Sequence, residues 1–149
     1  MSREGTVQNV RAIVQRVAEA AVHVGDERVA AIGPGLLVLL GVHRDDSPAQ
    51  AERMVAKLLG LRVFEDGAGR MNRSLSDTGG QVLCVSQFTV LGEVTRGNRP
   101  SFVDAAPADV AEPLYESVRA ALGARGGRFG EHMAVSLVND GPVTLVVDI

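Results

Sequence analysis

The chain has 149 residues, of which 46% are hydrophobic and 22% are charged. This composition fits one globular domain with its own interior and excludes an intrinsically disordered chain. The longest apolar run, residues 36–42, is too short to cross a bilayer, and residues 1–10 lack the pattern of a secretory signal. We therefore expect a cytoplasmic protein that does not enter a membrane.

The formal net charge of −3 excludes a broad basic surface but leaves room for a local one. Arginine carries almost all of the positive charge, and Lys57 is the only lysine. Two arginine pairs stand out, Arg70 with Arg73 and Arg96 with Arg99. A planar guanidinium group donates two parallel hydrogen bonds to phosphate, so these pairs are candidates for RNA contact. For any single one of them, a solvated loop charge is the better-supported alternative.

Runs of β-branched and apolar residues predict three strands near the start of the chain, at residues 10–17, 20–24 and 28–32. Gly25-Asp26 predicts the hairpin turn that joins the last two. Residues 36–42 are apolar without alternation, which is typical of a strand covered on both faces.

The clearest helical signal begins at Ser47, which is placed as the N-cap, with Pro48 at the first position and Gln50 closing a capping box. Apolar residues recur on one stripe as far as Leu59, and Gly60 ends the helix. The next three segments predict, in order, a strand, a turn and a loop: residues 61–64, 66–69 and 70–75.

Residues 81–90 alternate with a period of two, which predicts a strand with different side chains on its two faces. The two faces then carry, respectively, Cys84, Ser86 and Phe88, and Val85, Gln87 and Thr89. The alternative is a strand that ends or bulges at this point.

A second amphipathic helix ends at about Leu122. Pro113 is unfavourable inside it, so we expect the helix to begin late or to kink. Residues 134–138 and 143–149 predict two final strands. Together these elements predict a mixed α/β fold, a single domain in which two main helices pack on one side of mixed β-sheet layers.

The usual signatures of metal, nucleotide and nucleophilic catalysis are missing from the sequence. The histidines are isolated, and neither a Cys-x-x-Cys pair nor a phosphate-binding glycine loop is present. We therefore expect no metal and no other cofactor. Cys84 lies in an apolar run and is expected to be a core residue, while Ser86 lacks the Gly-x-Ser-x-Gly context of a nucleophile elbow.

Three segments resemble signature sequences of the D-aminoacyl-tRNA deacylases, also called D-tyrosyl-tRNA deacylases: residues 86–89 (SQFT), 96–102 (RGNRPSF) and 135–144 (VSLVNDGPVT). The resemblance runs from about residue 11 to residue 149, which predicts a deacylase domain over residues 10–149. Residues 1–9 then form an N-terminal extension that we expect to be disordered. Val90 departs from the family, which commonly has leucine at this position.

The resemblance implies a homodimer with its active sites at the subunit interface. There Gly141-Pro142, with a cis peptide bond, enters the partner's pocket close to residues 86–89. The implied reaction is hydrolysis of the ester between a D-amino acid and the 3′ end of tRNA, with L-aminoacyl esters rejected, which makes the protein a trans-editing proofreading enzyme. Achiral glycyl-tRNA is a further substrate that the resemblance implies.

An aminoacyl ester is already activated, so a site needs only to position water and to stabilise the developing oxyanion. The candidate catalytic residues are Ser86, Gln87, Phe88 and Thr89. The backbone amides of Phe88 and Thr89 are candidate oxyanion donors, and Thr89 is a candidate for orienting substrate or water. For Thr89 the alternative to a catalytic role is packing in a strand, and for Phe88 it is forming a wall of the pocket. For Ser86 and Gln87 a catalytic role and a structural role both stay open.

The resemblance also suggests residues that hold the substrate: Gly141, Pro142, Asn139, Arg16 and Met133, with Arg96 and Arg99 as RNA contacts. Arg16 aligns with an arginine in the family's opening strand and is expected to hold the carbonyl of Gly141 or Pro142. A surface charge is the alternative for Arg16, and a plain core position is the alternative for Met133.

Two other functions are compatible with these residues. A noncatalytic dimeric RNA-binding module would use the two arginine pairs on phosphate and would bind without turnover. A serine-dependent hydrolase of small esters would need Ser86 and one histidine.

Overall fold

The structure is a computed structural model that describes residues 9–149. The proposed N-terminal extension lies outside the described residues except for Asn9, whose side-chain amide donates a hydrogen bond to the backbone oxygen of Ile149 at 2.9 Å. The strands are β1 (Arg11–Val24), β2 (Glu27–Ile32), β3 (Gly35–Gly41), β4 (Phe64–Glu65), β5 (Met71–Arg73), β6 (Gln81–Ser86), β7 (Arg125–Gly126) and β8 (Ala134–Asp148). The helices are α1 (Pro48–Gly60), α2 (Leu75–Thr78) and α3 (Ala108–Ala121), with a 3₁₀ turn at Phe88–Leu91.

A mixed sheet organises the domain around the long strand β1. Along its length β1 pairs antiparallel with β8, and it also pairs antiparallel with β3 through its first half and with β2 through its second half. Strand β6 runs parallel to β3, and β7 runs parallel to β6. Strands β4 and β5 form a separate two-stranded hairpin. No helix within residues 9–149 is long and apolar enough to span a membrane.

Both faces of β3 and β6 are buried, which confirms the interpretation of the apolar run at residues 36–42. On one face, Val38 and Cys84 pack in a core cluster that includes Met54 of α1 and Val118 of α3. On the opposite face, other residues of β3 and β6 pack against β1 and β2. Both long helices therefore lie on the same side of the central strands, as predicted.

The predicted helix signals are confirmed for α1, where Ser47 and Gln50 form the capping box and Pro48 opens the helix. Helix α3 begins at Ala108 and contains Pro113, so of the two expected alternatives the late start is wrong. The exposed Pro113 lies in the second turn, where the missing N–H group removes only one helical hydrogen bond.

Four predicted boundaries differ from the structure, and the first is that the strands predicted at residues 10–17 and 20–24 form one strand, β1. Strand β4 covers only Phe64–Glu65, and the segment predicted as a loop contains β5 and the start of α2. The side chain of Asp66 organises this hairpin, because it accepts hydrogen bonds from the backbone amides of Ala68 and Arg70 at 2.8 and 3.1 Å. The two predicted final strands are one continuous strand, β8, interrupted by a register shift.

Candidate active site

The segment Ser86–Thr89 leaves the sheet instead of continuing it. Strand β6 ends at Ser86, and the amide of Gln87 makes a last hydrogen bond to the carbonyl of Leu40 at 2.8 Å. The chain then turns into the 3₁₀ turn, where the amide of Gly92 donates to the carbonyl of Thr89 at 2.9 Å. The predicted two-face alternation therefore stops at Ser86, and the alternative, a strand that ends at this point, is confirmed.

This turn forms one wall of a cleft of about 470 Å³. The opposite wall comes from the loop before β8 and the start of that strand. The lining residues are Val85, Ser86, Gln87, Phe88, Thr89, Gly130, Glu131, His132, Met133 and Val135. The four candidate catalytic residues and Met133 thus line one cleft.

The polar groups of the turn are oriented by contacts within it. The side-chain amide of Gln87 donates a hydrogen bond to the Thr89 hydroxyl oxygen at 3.1 Å. The Thr89 hydroxyl proton is therefore free to be donated elsewhere. The amides of Phe88 and Thr89 open the 3₁₀ turn, where backbone N–H groups have no partner inside the turn. The site offers backbone and hydroxyl donors together.

A second cleft, of about 420 Å³, shares Ser86, Phe88 and Gly130 with the first. Its remaining lining is apolar and consists of Val42, Phe102, Ala105, Ala106, Ala108, Ala111 and Phe129. Phe88 is 54% exposed and packs edge-to-face on Phe102, with ring centroids 5.1 Å apart. The Phe88 ring therefore stands where the two clefts meet.

Gly141 and Pro142 lie in a bulge of β8, far along that strand from the cleft. Gln15 pairs with Thr144 and Val17 pairs with Asn139, so residues 140–143 lie opposite a single residue of β1, Arg16. The Gly141-Pro142 peptide bond is cis, as the resemblance implied. Neither residue lines the cleft that holds Thr89 in the same chain.

Arg16, on the neighbouring strand β1, holds this bulge in place. It is 7% exposed, and its Nη1 donates to the carbonyl of Val63 at 2.8 Å while its Nε donates to the carbonyl of Asp140 at 3.1 Å. The carbonyl that Arg16 holds is therefore that of Asp140, one residue before the expected pair. The carboxylates of Asp140 and Glu65 lie 3.5 and 3.9 Å from the guanidinium group.

Asn139 closes the same bulge on the β8 side. Its side-chain oxygen accepts a hydrogen bond from the amide of Val143 at 3.1 Å, and its side-chain nitrogen donates to the Thr144 hydroxyl at 3.0 Å. Gly141 has φ of +129°, and a Cβ atom there would lie 2.9 Å from Arg16 Nη2. Glycine is needed because both the backbone conformation and the available space exclude a side chain.

The two arginine pairs occupy different hairpins. Arg96 and Arg99 are exposed on the loop that directly follows the 3₁₀ turn. Arg70 and Arg73 belong to the β4–β5 hairpin, which borders the bulge through the contacts of Arg16 with Val63 and Glu65. The two candidate pairs therefore lie on different segments of the fold.

Comparison with known proteins identifies the family. Residues 13–148 match the family described as D-Tyr-tRNA(Tyr) deacylase. The chain belongs to this family. The D-aminoacyl-tRNA deacylase of Symbiobacterium thermophilum is 55% identical over 144 residues, which cover 93% of this chain and 95% of the relative. The D-aminoacyl-tRNA deacylase of Opitutus terrae is 54% identical over 145 residues, covering 93% of this chain and 97% of the relative.

Two solved structures share the fold of this chain. The structure of a c-Myc DNA Unwinding Element Binding Protein has a TM-score of 0.89 at 44% identity and covers 93% of this chain and 98% of that chain. A structure described as a probable eukaryotic D-amino acid tRNA deacylase has a TM-score of 0.80 at 21% identity, covering 95% and 100%. The second likeness shows that the mixed α/β fold is shared.

Two parts of the site were missed by sequence reasoning. Glu131 and His132 lie on a loop with no motif or period, so no signal pointed to them. Phe102 ends the RGNRPSF segment, so the resemblance contained a signal for it although no role was assigned. His132 and Ser86 line the same cleft, yet no hydrogen bond joins them in the described part of the chain.

Cys84 is expected to be inert in the folded protein. It is completely buried, and this burial raises the pKa of its thiol to about 12, so the reactive thiolate is suppressed at neutral pH. A thiol reagent at pH 8 should label the native protein much more slowly than the urea-unfolded protein, in which the pKa returns to about 8.5. Equal labelling rates in both states would contradict a buried core position.

Proposed function

We propose that this protein hydrolyses the ester bond of D-aminoacyl-tRNA and releases free D-amino acid and tRNA. The observation that carries the proposal is the turn after β6: Phe88 and Thr89 line one cleft, and their backbone amides have no hydrogen-bond partner inside the turn. Family membership supplies the class of substrate, and the relatives from Symbiobacterium thermophilum and Opitutus terrae are both named D-aminoacyl-tRNA deacylases. The proposed location is the cytoplasm, where tRNA is charged.

The chemistry needs no strong nucleophile from the protein. Water adds to the ester carbonyl carbon, the bond from that carbon to the ribose oxygen breaks, and a proton passes from the water to the departing ribose oxygen. The amides of Phe88 and Thr89 are proposed to stabilise the oxyanion, because preorganised donors act most strongly where charge develops. The Thr89 hydroxyl, with its oxygen held by Gln87, orients the ester or the water.

The two adjoining clefts suit the two parts of the aminoacylated tRNA end, the aminoacyl group and the 3′-terminal nucleotide. The aminoacyl group fits the cleft beside Met133, where the polar turn lies. The adenine of the 3′-terminal nucleotide fits the neighbouring apolar cleft, where Phe102 and Phe129 supply aromatic surface. This arrangement places the scissile ester beside Phe88, where the clefts meet.

We propose a homodimer in which Gly141-Pro142 of one subunit reaches the cleft of the other. The bulge does not line the cleft of its own chain, so it serves there only when a second copy supplies it. Strand β8 pairs only with β1 among the described strands, and its outward Val138 and Val146 are 50% and 60% exposed. An apolar open edge of this kind favours association.

In this arrangement Gly141-Pro142 forms the wall that reads chirality. A rigid wall rejects the mirror-image substituent through a clash, which discriminates more strongly than attraction to a small side chain. Arg16 and Asn139 hold the wall in position. Glycyl-tRNA has no side chain to strike the wall and is therefore a proposed further substrate.

The decisive test is release of tyrosine from D-tyrosyl-tRNA and L-tyrosyl-tRNA by the purified protein. We expect hydrolysis of the D ester, slower hydrolysis of the L ester by about 100-fold or more, and no change on addition of EDTA. Binding of both tRNAs without turnover would instead support the noncatalytic RNA-binding module. Loss of activity in EDTA with recovery on adding zinc would contradict the cofactor-free reaction.

A further inference from the structure

We infer that the loop of residues 93–101 binds the phosphate backbone near the 3′ end of tRNA through Arg96 and Arg99. We call this segment the basic loop. The inference rests on the proposed function, since it assumes that the aminoacylated end of a tRNA occupies the adjoining cleft. The basic loop would contact the part of the tRNA that lies outside the cleft, and it belongs to the same subunit as the cleft.

The basic loop is attached directly to the candidate catalytic turn. Glu93 and Ser101 close it as an antiparallel bridge, with backbone hydrogen bonds of 2.8 and 2.9 Å in the two directions. Gly92, just before it, donates to the Thr89 carbonyl and lies so close to Phe102 that a Cβ would be 2.9 Å from its ring. Phe102, just after the loop, packs on Phe88. Both ends are thus fixed to the cleft.

The guanidinium groups of Arg96 and Arg99 lie a short distance from the cleft. Four residues of extended chain span about 13 Å, so a loop arm that begins at Glu93 keeps its tip within about that distance of Glu93, which lies two residues after the turn. A nucleic acid whose last nucleotide lies in the paired clefts must pass its preceding phosphates over this neighbourhood. The tip is therefore placed to meet phosphate without any movement of the turn.

The charges at the tip are available for such a contact. Residues 94–100 are all exposed. Within residues 9–149, neither Arg96 nor Arg99 forms an ion pair, whereas Arg44, which contacts Val103 beyond the loop, lies 3.8 Å from the buried carboxylate of Asp104. Glu93, the nearby acid, accepts a hydrogen bond from the amide of Thr95 at 3.2 Å.

A polyanion is the ligand that this loop fits best. The net charge of −3 gives the protein no general attraction for RNA, so affinity must come from local arginines. Arginine forks match phosphate oxygens, and contacts to the backbone carry no sequence information. We therefore expect the basic loop to raise affinity for every tRNA to a similar extent.

The experiment compares the Arg96→Ala/Arg99→Ala variant with the wild type and with Arg53→Ala. Arg53 is an exposed arginine on α1 and serves as the matched control. Each protein is assayed for binding of uncharged tRNA across a salt series, and for hydrolysis of D-tyrosyl-tRNA and of D-tyrosyl-adenosine, which has no phosphates. We expect the double variant to bind tRNA about tenfold more weakly, with a log–log salt slope smaller by about 0.7 per lost contact.

Hydrolysis of D-tyrosyl-adenosine by the double variant should match the wild type, while the KM for D-tyrosyl-tRNA rises. Unchanged tRNA affinity and salt slope would overturn the inference, and so would an equal loss of activity on both substrates, because the loop would then act only by shaping the cleft. If the wild type hydrolyses neither substrate, the proposed function fails, and the binding series still decides the role of the loop.

Discussion

Replacing Gly141 by alanine is expected to lower hydrolysis of D-aminoacyl-tRNA by about 100-fold while leaving each subunit folded. The new Cβ would lie 2.9 Å from both Arg16 Nη2 and Val143 Cγ2, at a backbone φ of +129° that L side chains rarely adopt. The bulge must therefore move. Because Gly141 and Pro142 are exposed, the movement should spare the core.

Single-turnover deacylation measures the expected loss of hydrolysis by Gly141→Ala, and thermal unfolding measures whether each subunit remains folded. Gly67→Ala is the matched control, since Gly67 lies in a surface turn where an added Cβ meets nothing within 4 Å. It should behave as the wild type in both measurements. Full activity of Gly141→Ala would show that the bulge takes no part in the site.

The same variant tests whether the bulge acts on a partner. A second variant, Thr89→Tyr, fills the cleft with an aromatic ring but keeps the bulge intact. Each variant alone should retain about 1% of the wild-type activity or less. Subunits mixed in equal amounts and reassembled should regain about a quarter of the wild-type sites. The reason is that about half of the dimers are mixed, and each mixed dimer has one unaltered cleft facing one unaltered bulge. No recovery on mixing, with dimers verified by light scattering, would place the bulge and the cleft in separate functions.

Arg16→Ala is expected to be the most destabilising change at the site, lowering the free energy of unfolding by about 2–4 kcal/mol. The buried guanidinium group satisfies the carbonyls of Val63 and Asp140, and both lose their donor in the variant. Two carboxylates beside it also lose their counter-charge, a smaller effect because both are more than half exposed.

Urea unfolding measures the stability of this variant, and activity at a temperature where it remains folded measures its role in the site. We expect activity to fall further than the folded fraction, because the bulge loses its fixed position. Arg16→Lys is the informative control: it keeps the charge but has no second planar donor, so it should recover part of the stability and less of the activity. A fully active, merely less stable Arg16→Ala protein would make Arg16 a structural residue alone.

Local sequence signals predicted the elements whose causes are local. The capping box at Ser47 fixes the start of α1, and Gly25 at the first hairpin turn has the positive φ that such a turn requires. The uniform apolar run of β3 correctly indicated burial on both faces, because a strand that is apolar at every position has no polar face to expose to water.

The errors arise where a distant partner decides the geometry. The alternating pattern through Thr89 continues past Ser86, but β3 ends alongside β6, so no backbone partner remains beyond Gln87. Likewise, Gly141-Pro142 looked like a break between two strands, yet pairing with the whole length of β1 keeps β8 continuous on both sides of the bulge. The resemblance suggested candidate site residues, but only the fold shows that within one chain they lie in two groups, at the cleft and at the bulge.

The hydrogen bond from the amide of Gln87 to the carbonyl of Leu40 joins the proposed catalytic turn to a central strand of the sheet. Strand β3, which contains Leu40, is enclosed by neighbouring strands at both edges and by apolar layers on both faces. Such strands are the last part of a domain to open, so their amides exchange with solvent only through global unfolding. Gln87, the residue just before the turn at Phe88 and Thr89, is hydrogen-bonded to that strand, so we expect the start of the turn to be as rigid as the strand. We therefore expect the backbone dipoles of the proposed catalytic turn to be aligned before substrate binds, so that little reorganisation accompanies the reaction.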